Sequence, residues 1–318
     1  MAVSSFYIIS ASLALIIGTA SCSLSLTPDG YWNRVFPSTP MPNAIRELLS
    51  PSPSGSGGRN LTNSSPPTPI FPTKACCCKW AAMSGYPGLS PMNCPPNNAP
   101  LYSLREDMQP GSKMNVTMMI TPVALSGGRF FPRQRAQAIP FSTSNLTAIL
   151  KMFSIQPESD RASLIRETLQ DCEAAAIKGE VKHCATSLES MIDFVVAELG
   201  TREIHAVFTS AVNREEAVKV RSYRVGAGGG RMMTNKVMTC HNTVFPYAVF
   251  YCHNFAGTRV YMVPLVAEDG SRVSAIALCH IDTSNWNPRH ESFRVLGVKP
   301  GTVPICHFIV EGLAWVPN

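Results

Sequence analysis

Charge is scarce in this 318-residue chain: Asp, Glu, Lys and Arg together make up only 15% of it, against 45% hydrophobic residues. That balance excludes disorder throughout, and 26 prolines interrupt the chain too often for a fibre. Length allows one large domain with extra segments, or two small domains. Internal repeats are absent. So is any second apolar run after the first residues that is long enough to span a bilayer, so no membrane span is expected once a signal is removed. Nucleic-acid chemistry is also missing. The net charge of +6 is modest, and the one basic cluster, Lys219, Arg221, Arg224, Arg231 and Lys236, has no helix-turn-helix, finger or RNP pattern beside it. A solvated loop face accounts for that cluster. Gly226 to Gly230 lack the βαβ setting of a dinucleotide site and read as a flexible hairpin loop. There is no serine nucleophile elbow, and no paired carboxylates suggest hydrolysis.

Phe6 to Ala20 form an apolar run of signal-peptide length, ending in the small residues Gly18, Thr19, Ala20, Ser21 and Cys22. Cleavage after Ala20 or Cys22 predicts an exported protein. Four Asn-x-Ser/Thr sequons, at Asn60, Asn63, Asn115 and Asn145, agree with a glycosylated, secreted product.

Residues 1–22 are therefore expected as the signal peptide, 23–128 as a Pro/Ser/Asn-rich, loosely ordered variable segment, and 129–318 as the folded domain. Within the variable segment one short helix is expected over Asn43 to Leu49. Composition changes at Gly127-Gly128-Arg129-Phe130-Phe131. Apolar spacing then predicts helices around Leu146 to Phe153, from near Ser159 to Cys172, and over Leu188 to Leu199, the last with Thr186 and Glu189 as a capping box and Gly200 as its stop. From Ile204 onward β-branched and aromatic residues alternate between turn signals, predicting eight strands up to Leu313 to Val316. Helices first and strands afterwards indicate an α+β fold with a mainly antiparallel sheet.

Cysteine and histidine carry the chemistry. Four of the 11 cysteines are followed at once by histidine: Cys240-His241, Cys252-His253, Cys279-His280 and Cys306-His307, separated by 10, 25 and 25 residues. Each pair lies in or at the end of a predicted strand, where neighbouring side chains point to opposite faces. The cysteines should therefore gather on one side and the imidazoles on the other. In an oxidising compartment the thiols become disulfides, while neutral imidazoles form a nitrogen-rich site able to bind copper or zinc.

The order of the four Cys-His pairs resembles the signature of the plant BURP-domain proteins. So do Phe130-Phe131, Cys172, Cys184, the string CATSLESM from Cys184 to Met191 and the ending ICHFIVEGLAWVPN. Tyr31 to Leu49 is similar to the short TPMP-type element that follows the signal in many members. Cys76, Cys77, Cys78 and Cys94 depart from the pattern. The resemblance implies one of two roles. Many members are extracellular or cell-wall proteins of development and stress response without established catalysis, for which a cell-wall polysaccharide is the expected partner. Others are copper-dependent peptide cyclases that join Trp or Tyr side chains, in some cases within their own chain. In the second case His241, His253, His280 and His307 would bind copper, and the N-terminal segment, with Trp80, Tyr86 and Tyr102, would be the substrate. His183, His205 and His290 are expected to stay out of the ligand set. Cys172 is expected to pair with Cys184, since the two are close in sequence. Cys240, Cys252, Cys279 and Cys306 are expected to pair among themselves in one of three connectivities.

Overall fold

The computed structural model describes residues 26–49, 102–118, 128–211, 221–309 and 312–318. The cysteine run near residue 76, Cys94, Trp80, Tyr86, Asn60, Asn63 and the signal region lie outside them.

Helix α1 (Pro28–Val35) starts at a Thr27 cap, whose side chain accepts from the Gly30 amide, with Pro28 in the first turn. Helix α2 (Asn43–Leu49) follows. Both bury large apolar side chains, Trp32 and Phe36 from the first helix and its exit, and Ile45 and Leu48 from the second. Helix α2 is the one expected over Asn43 to Leu49, whereas α1 corrects the expectation of a loosely ordered segment. Averaged composition hides a regular run of anchors among prolines, and those anchors have a partner surface: Trp315, fully buried, lies 5.8 Å from Trp32 and 5.9 Å from Phe36 between ring centroids. The Tyr31 hydroxyl donates to Asp193, which also holds Arg133 at 2.6 Å, and the Phe130 amide donates to the Leu48 carbonyl at 2.9 Å.

Helices α3 (Arg133–Gln137), α4 (Leu146–Met152) and α5 (Asp160–Glu173) pack Ile149, Ile165 and Leu169 against Phe245, Tyr247 and Val249. Ser159 caps α5 by accepting from the Ala162 amide. Helix α6 (Leu188–Leu199) ends at Gly200, whose φ of 65° is left-handed. Its cap is Ser187, which accepts from the Ser190 amide, and not Thr186. A residue at this position needs extended backbone and a hydroxyl aimed into the first turn, and the sequence offers two adjacent hydroxyls.

Every described strand pairing is antiparallel, in keeping with the expected α+β class. One sheet runs in the order β1 (Tyr102–Leu104), β12 (Ile305–Ile309), β11 (Arg272–His280), β10 (Arg259–Ala267), β6 (Arg221–Val225) and β2 (Lys113–Met118). Strand β5 (Ser210–Ala211) adds to β11 and β7 (Arg231–Thr234) to β10. The second sheet is β3 (Glu180–Ala185), β9 (Phe250–Phe255), β8 (Met238–Asn242), β13 (Gly312–Pro317) and β4 (Ile204–Val207). Val237, Val260, Leu278, Ile309 and Ala314 form an apolar cluster drawing on strands of both sheets. A final helix, α7 (Glu291–Leu296), has no counterpart in the sequence reading.

Two boundaries differ from expectation. Tyr102–Leu104 and Lys113–Met118 are strands of the first sheet, so the folded unit begins before the compositional change at 128/129. The Gly226–Gly230 loop does not close a hairpin, because β6 and β7 both pair with β10 and not with each other. It packs instead against the Met108 turn: the Gly230 amide donates to the Met108 carbonyl, and a Cβ on Gly229 would stand 2.9 Å from Pro110.

Candidate functional site

Register makes the site. Cys240 stands directly opposite Cys252 in the β8/β9 pair, and Cys279 directly opposite Cys306 in the β11/β12 pair. Each couple is a disulfide, with Cα atoms 3.9 Å and 4.0 Å apart, and all four cysteines are fully buried. Of the three possible connectivities, the one present links strand neighbours. Cys172, in the last turn of α5, is bonded to Cys184 on β3, a half-buried bridge with Cα atoms 5.7 Å apart.

Because side chains alternate along a strand, the histidine after each cysteine turns to the other face. The four imidazoles meet there as a chain of adjacent rings. His253 and His241 are 5.3 Å apart between centroids, His241 and His307 5.9 Å, and His307 and His280 5.3 Å and stacked. One sheet supplies the first two rings and the other sheet the last two. The Nε2 atoms of His280 and His307 face each other at 3.2 Å, while Nε2 of His241 is buried without a hydrogen-bond partner.

Burial favours the uncharged form of His241, His280 and His307. It pushes His241 well below the usual histidine range, with His253 and His307 adding to the effect. His280 is lowered in the same way, by burial first and then by His307, His253, His241 and His290. His307 falls to about 3, through burial and His253, against a small opposing effect of the Phe308 backbone. Neutral imidazoles are the form in which histidine offers a lone pair.

The rings have an outer layer that the sequence reading missed. Glu180 on β3 accepts from His253 Nδ1 at 3.1 Å, from the Tyr251 hydroxyl at 2.9 Å and from the Ile177 amide at 3.1 Å. Burial alone would raise this carboxyl. The contact with His253, then the Ile177 and Tyr251 donors, outweigh it and leave Glu180 below its ordinary value. Thr258 Oγ1 lies 3.2 Å from His280 Nδ1. Trp286 packs on His280 at 5.0 Å and on His290 at 4.8 Å, and Tyr102 stands edge-on to His290 and His307. The Glu-x-Lys-x-Cys spacing on one strand was the only available signal for Glu180. Thr258 and Trp286 lie in turns that nothing in the local pattern links to the histidines.

The other expectations are placed as follows. His183 is hydrogen-bonded to Ser190, and His205 to Asn318. His290 caps α7 and bonds Ser292, yet its ring borders the cluster through Trp286. Asn145 is exposed at the start of α4, and Asn115 lies on β2. Among the described residues, no three His, Cys, Asp or Glu side chains already stand in an ion-holding arrangement. None of the described helices is long and apolar enough to cross a membrane.

These features define a class: an α+β domain in which cross-strand disulfides alternate with a buried row of imidazoles. A family model, the BURP domain, matches residues 101–317. The chain is 39% identical over 288 residues to BURP domain-containing protein 5 of Oryza sativa subsp. japonica, covering 90% of this chain and 85% of that protein. It is 35% identical over 324 residues to BURP domain-containing protein 2 of the same plant, covering 98% and 99%. It is also 42% identical over 215 residues to BURP domain protein RD22 of Arabidopsis thaliana, which spans 67% of this chain but 54% of that protein. The chain belongs to the BURP-domain family of plant proteins.

Proposed function

We propose that this protein is exported and acts in the plant extracellular space or cell wall, in development or stress response, as a family member with no established catalysis. Three disulfides carry this reading, two of them fully buried. Such bonds persist in oxidising compartments and are rare in the cytosol of ordinary organisms. The apolar leader and the sequons support the same compartment, and a cell-wall polysaccharide is the proposed partner. A fluorescent protein fused after Asn318 and expressed in plant cells should stay with the wall on plasmolysis, and glycosidase should shift the mobility of the fusion. Removal of residues 1–22 should keep it inside. Cytosolic retention of the full chain with free thiols would overturn the proposal.

A second reading, a copper-dependent autocatalytic cyclase, draws on the imidazole row. His241, His253, His280 and His307 would hold the metal; the donors are of the right kind, and the unpartnered Nε2 of His241 is a buried lone pair or proton with no other use. Copper, when bound, supplies one-electron oxidation of aromatic rings. The chain itself buries the His241, His280 and His307 rings and places Tyr102 beside them, its ring centroid 6.5 Å from that of His307. Burial, and secondarily the charge of Glu291, holds the Tyr102 phenol protonated. Crosslinking removes two hydrogen atoms, so incubation with copper and dioxygen as electron acceptor should lower the mass by about two units per bond. The loss should map to a peptide containing Trp80, Tyr86 or Tyr102. An unchanged mass under those conditions removes this reading and leaves the first.

A further inference from the structure

We propose that Glu180 and Thr258 are positioning residues that lock His253 and His280 into the same tautomer, hydrogen on Nδ1 and lone pair on Nε2. The inference concerns the protein's own hydrogen bonds, and its use rests on the metal reading given above.

A neutral imidazole has two tautomers, and the partner of one nitrogen selects between them. A carboxylate can only accept. Glu180 contacts His253 at Nδ1, so that nitrogen must carry the hydrogen. The carboxylate cannot swing away at low cost, since Tyr251 and the Ile177 amide donate to it as well and its side chain is only 3% exposed.

Thr258 reaches the same result by a different route. Its hydroxyl donates to the Phe255 carbonyl at 2.8 Å. The single proton is thereby used, and the oxygen can only accept from His280 Nδ1 at 3.2 Å. Phe255 ends β9, two residues beyond His253, and the turn in which the Thr258 amide donates to the Phe255 carbonyl at 3.1 Å therefore ties the tautomer of one sheet's histidine to the backbone of the other sheet. With Nδ1–H fixed on His280, its Nε2 lone pair faces His307 Nε2 at 3.2 Å, so His307 supplies the hydrogen of that contact. His253 of one sheet and His280 of the other thus both offer Nε2 as a lone pair, the arrangement that outer hydrogen-bond partners impose on metal-binding histidines, while His307 holds its hydrogen on Nε2.

The test uses the full secreted chain labelled with nitrogen-15 and freed of metal. Long-range proton–nitrogen spectra should show His253 and His280 with protonated Nδ1 and unprotonated Nε2. Glu180→Val should release His253 to the other tautomer or a mixture, and Glu180→Gln, which keeps an acceptor, should restore it. Thr258→Val should release His280 and Thr258→Ser restore it. All four variants should retain the three disulfides, which controls for misfolding. In copper titrations both valine variants should bind about 10–100-fold more weakly than the parent. A hydrogen on Nε2 of His253 in the parent, or tautomers indifferent to both valine substitutions, would overturn the inference. A parent chain that takes up no copper overturns the metal reading alone, and the nitrogen spectra then decide this inference by themselves.

Discussion

The β8/β9 and β11/β12 pairs carry the same device in different surroundings. In both, opposed cysteines form a buried rung and each following histidine turns to the far face. The first rung closes a separation of 12 residues and the second one of 27. The first histidine pair is anchored by a carboxylate, the second by a hydroxyl. The first sheet pair also leans on the N-terminal helices through Trp315, whereas β12 packs Ile305 against Phe293 of the late helix α7. A repeated dipeptide therefore fixes geometry, while neighbours from distant parts of the chain set what each copy can do.

That contrast can be broken most severely at Trp315. Trp315→Ala removes the ring on which Trp32 and Phe36 rest, and should cost about 3–5 kcal/mol in urea unfolding, with the 26–49 segment becoming sensitive to protease. The rungs come next. Cys279→Ala with Cys306→Ala should cost about 3.5 kcal/mol and Cys240→Ala with Cys252→Ala about 3 kcal/mol, because the longer loop restricts the unfolded chain more. Equal or inverted midpoints would remove loop length as the difference between them. Gly312→Ala should cost about 1–3 kcal/mol, since a Cβ there would meet the Cys240 carbonyl oxygen at 2.5 Å and push the strand bearing His241. The corresponding loss in copper uptake, where there is any, should exceed that of an equally destabilising change on β10.

The last effect, seen only as a pH dependence, lies beside the third, half-buried disulfide. Burial raises the Asp171 carboxyl to about 7, with Glu167 adding to the rise and Lys182 opposing it. A raised carboxyl favours the folded state only while protonated. Its contribution is full below the unfolded value near 3.8 and is lost as pH rises to about 7. Asp171→Asn should therefore flatten the pH dependence of stability across that window and make the protein relatively more stable above it. A denaturation series from pH 4 to pH 8 that gives parallel curves for parent and variant would contradict this.

What the sequence made legible was local. The 3.6-residue spacing of Leu188, Met191, Ile192 and Val195 placed α6, and alternation around each Cys-His pair placed the strands and turned the imidazoles to the face opposite the thiols. Helix α1 escaped because Trp32 and Phe36 are isolated anchors whose partner, Trp315, lies at the far end of the chain. Strand β3 escaped because its burial does not alternate: Glu180, Lys182 and His183 make polar contacts on an edge. The Glu180 to His253 bond joins residues 73 apart, and no spacing rule connects them.

The two ends of the first sheet's strand path, β1 and β2, both come from residues 102–118. Unpaired strand edges are templates for adding another chain, and proteins protect them. One short stretch here serves as the border on both sides, so its loss would uncover two edges together. A chain beginning after residue 118 should therefore fail by self-association into β-rich aggregates before it fails by simple unfolding, and solubility, more than melting temperature, is where the value of that stretch would be seen.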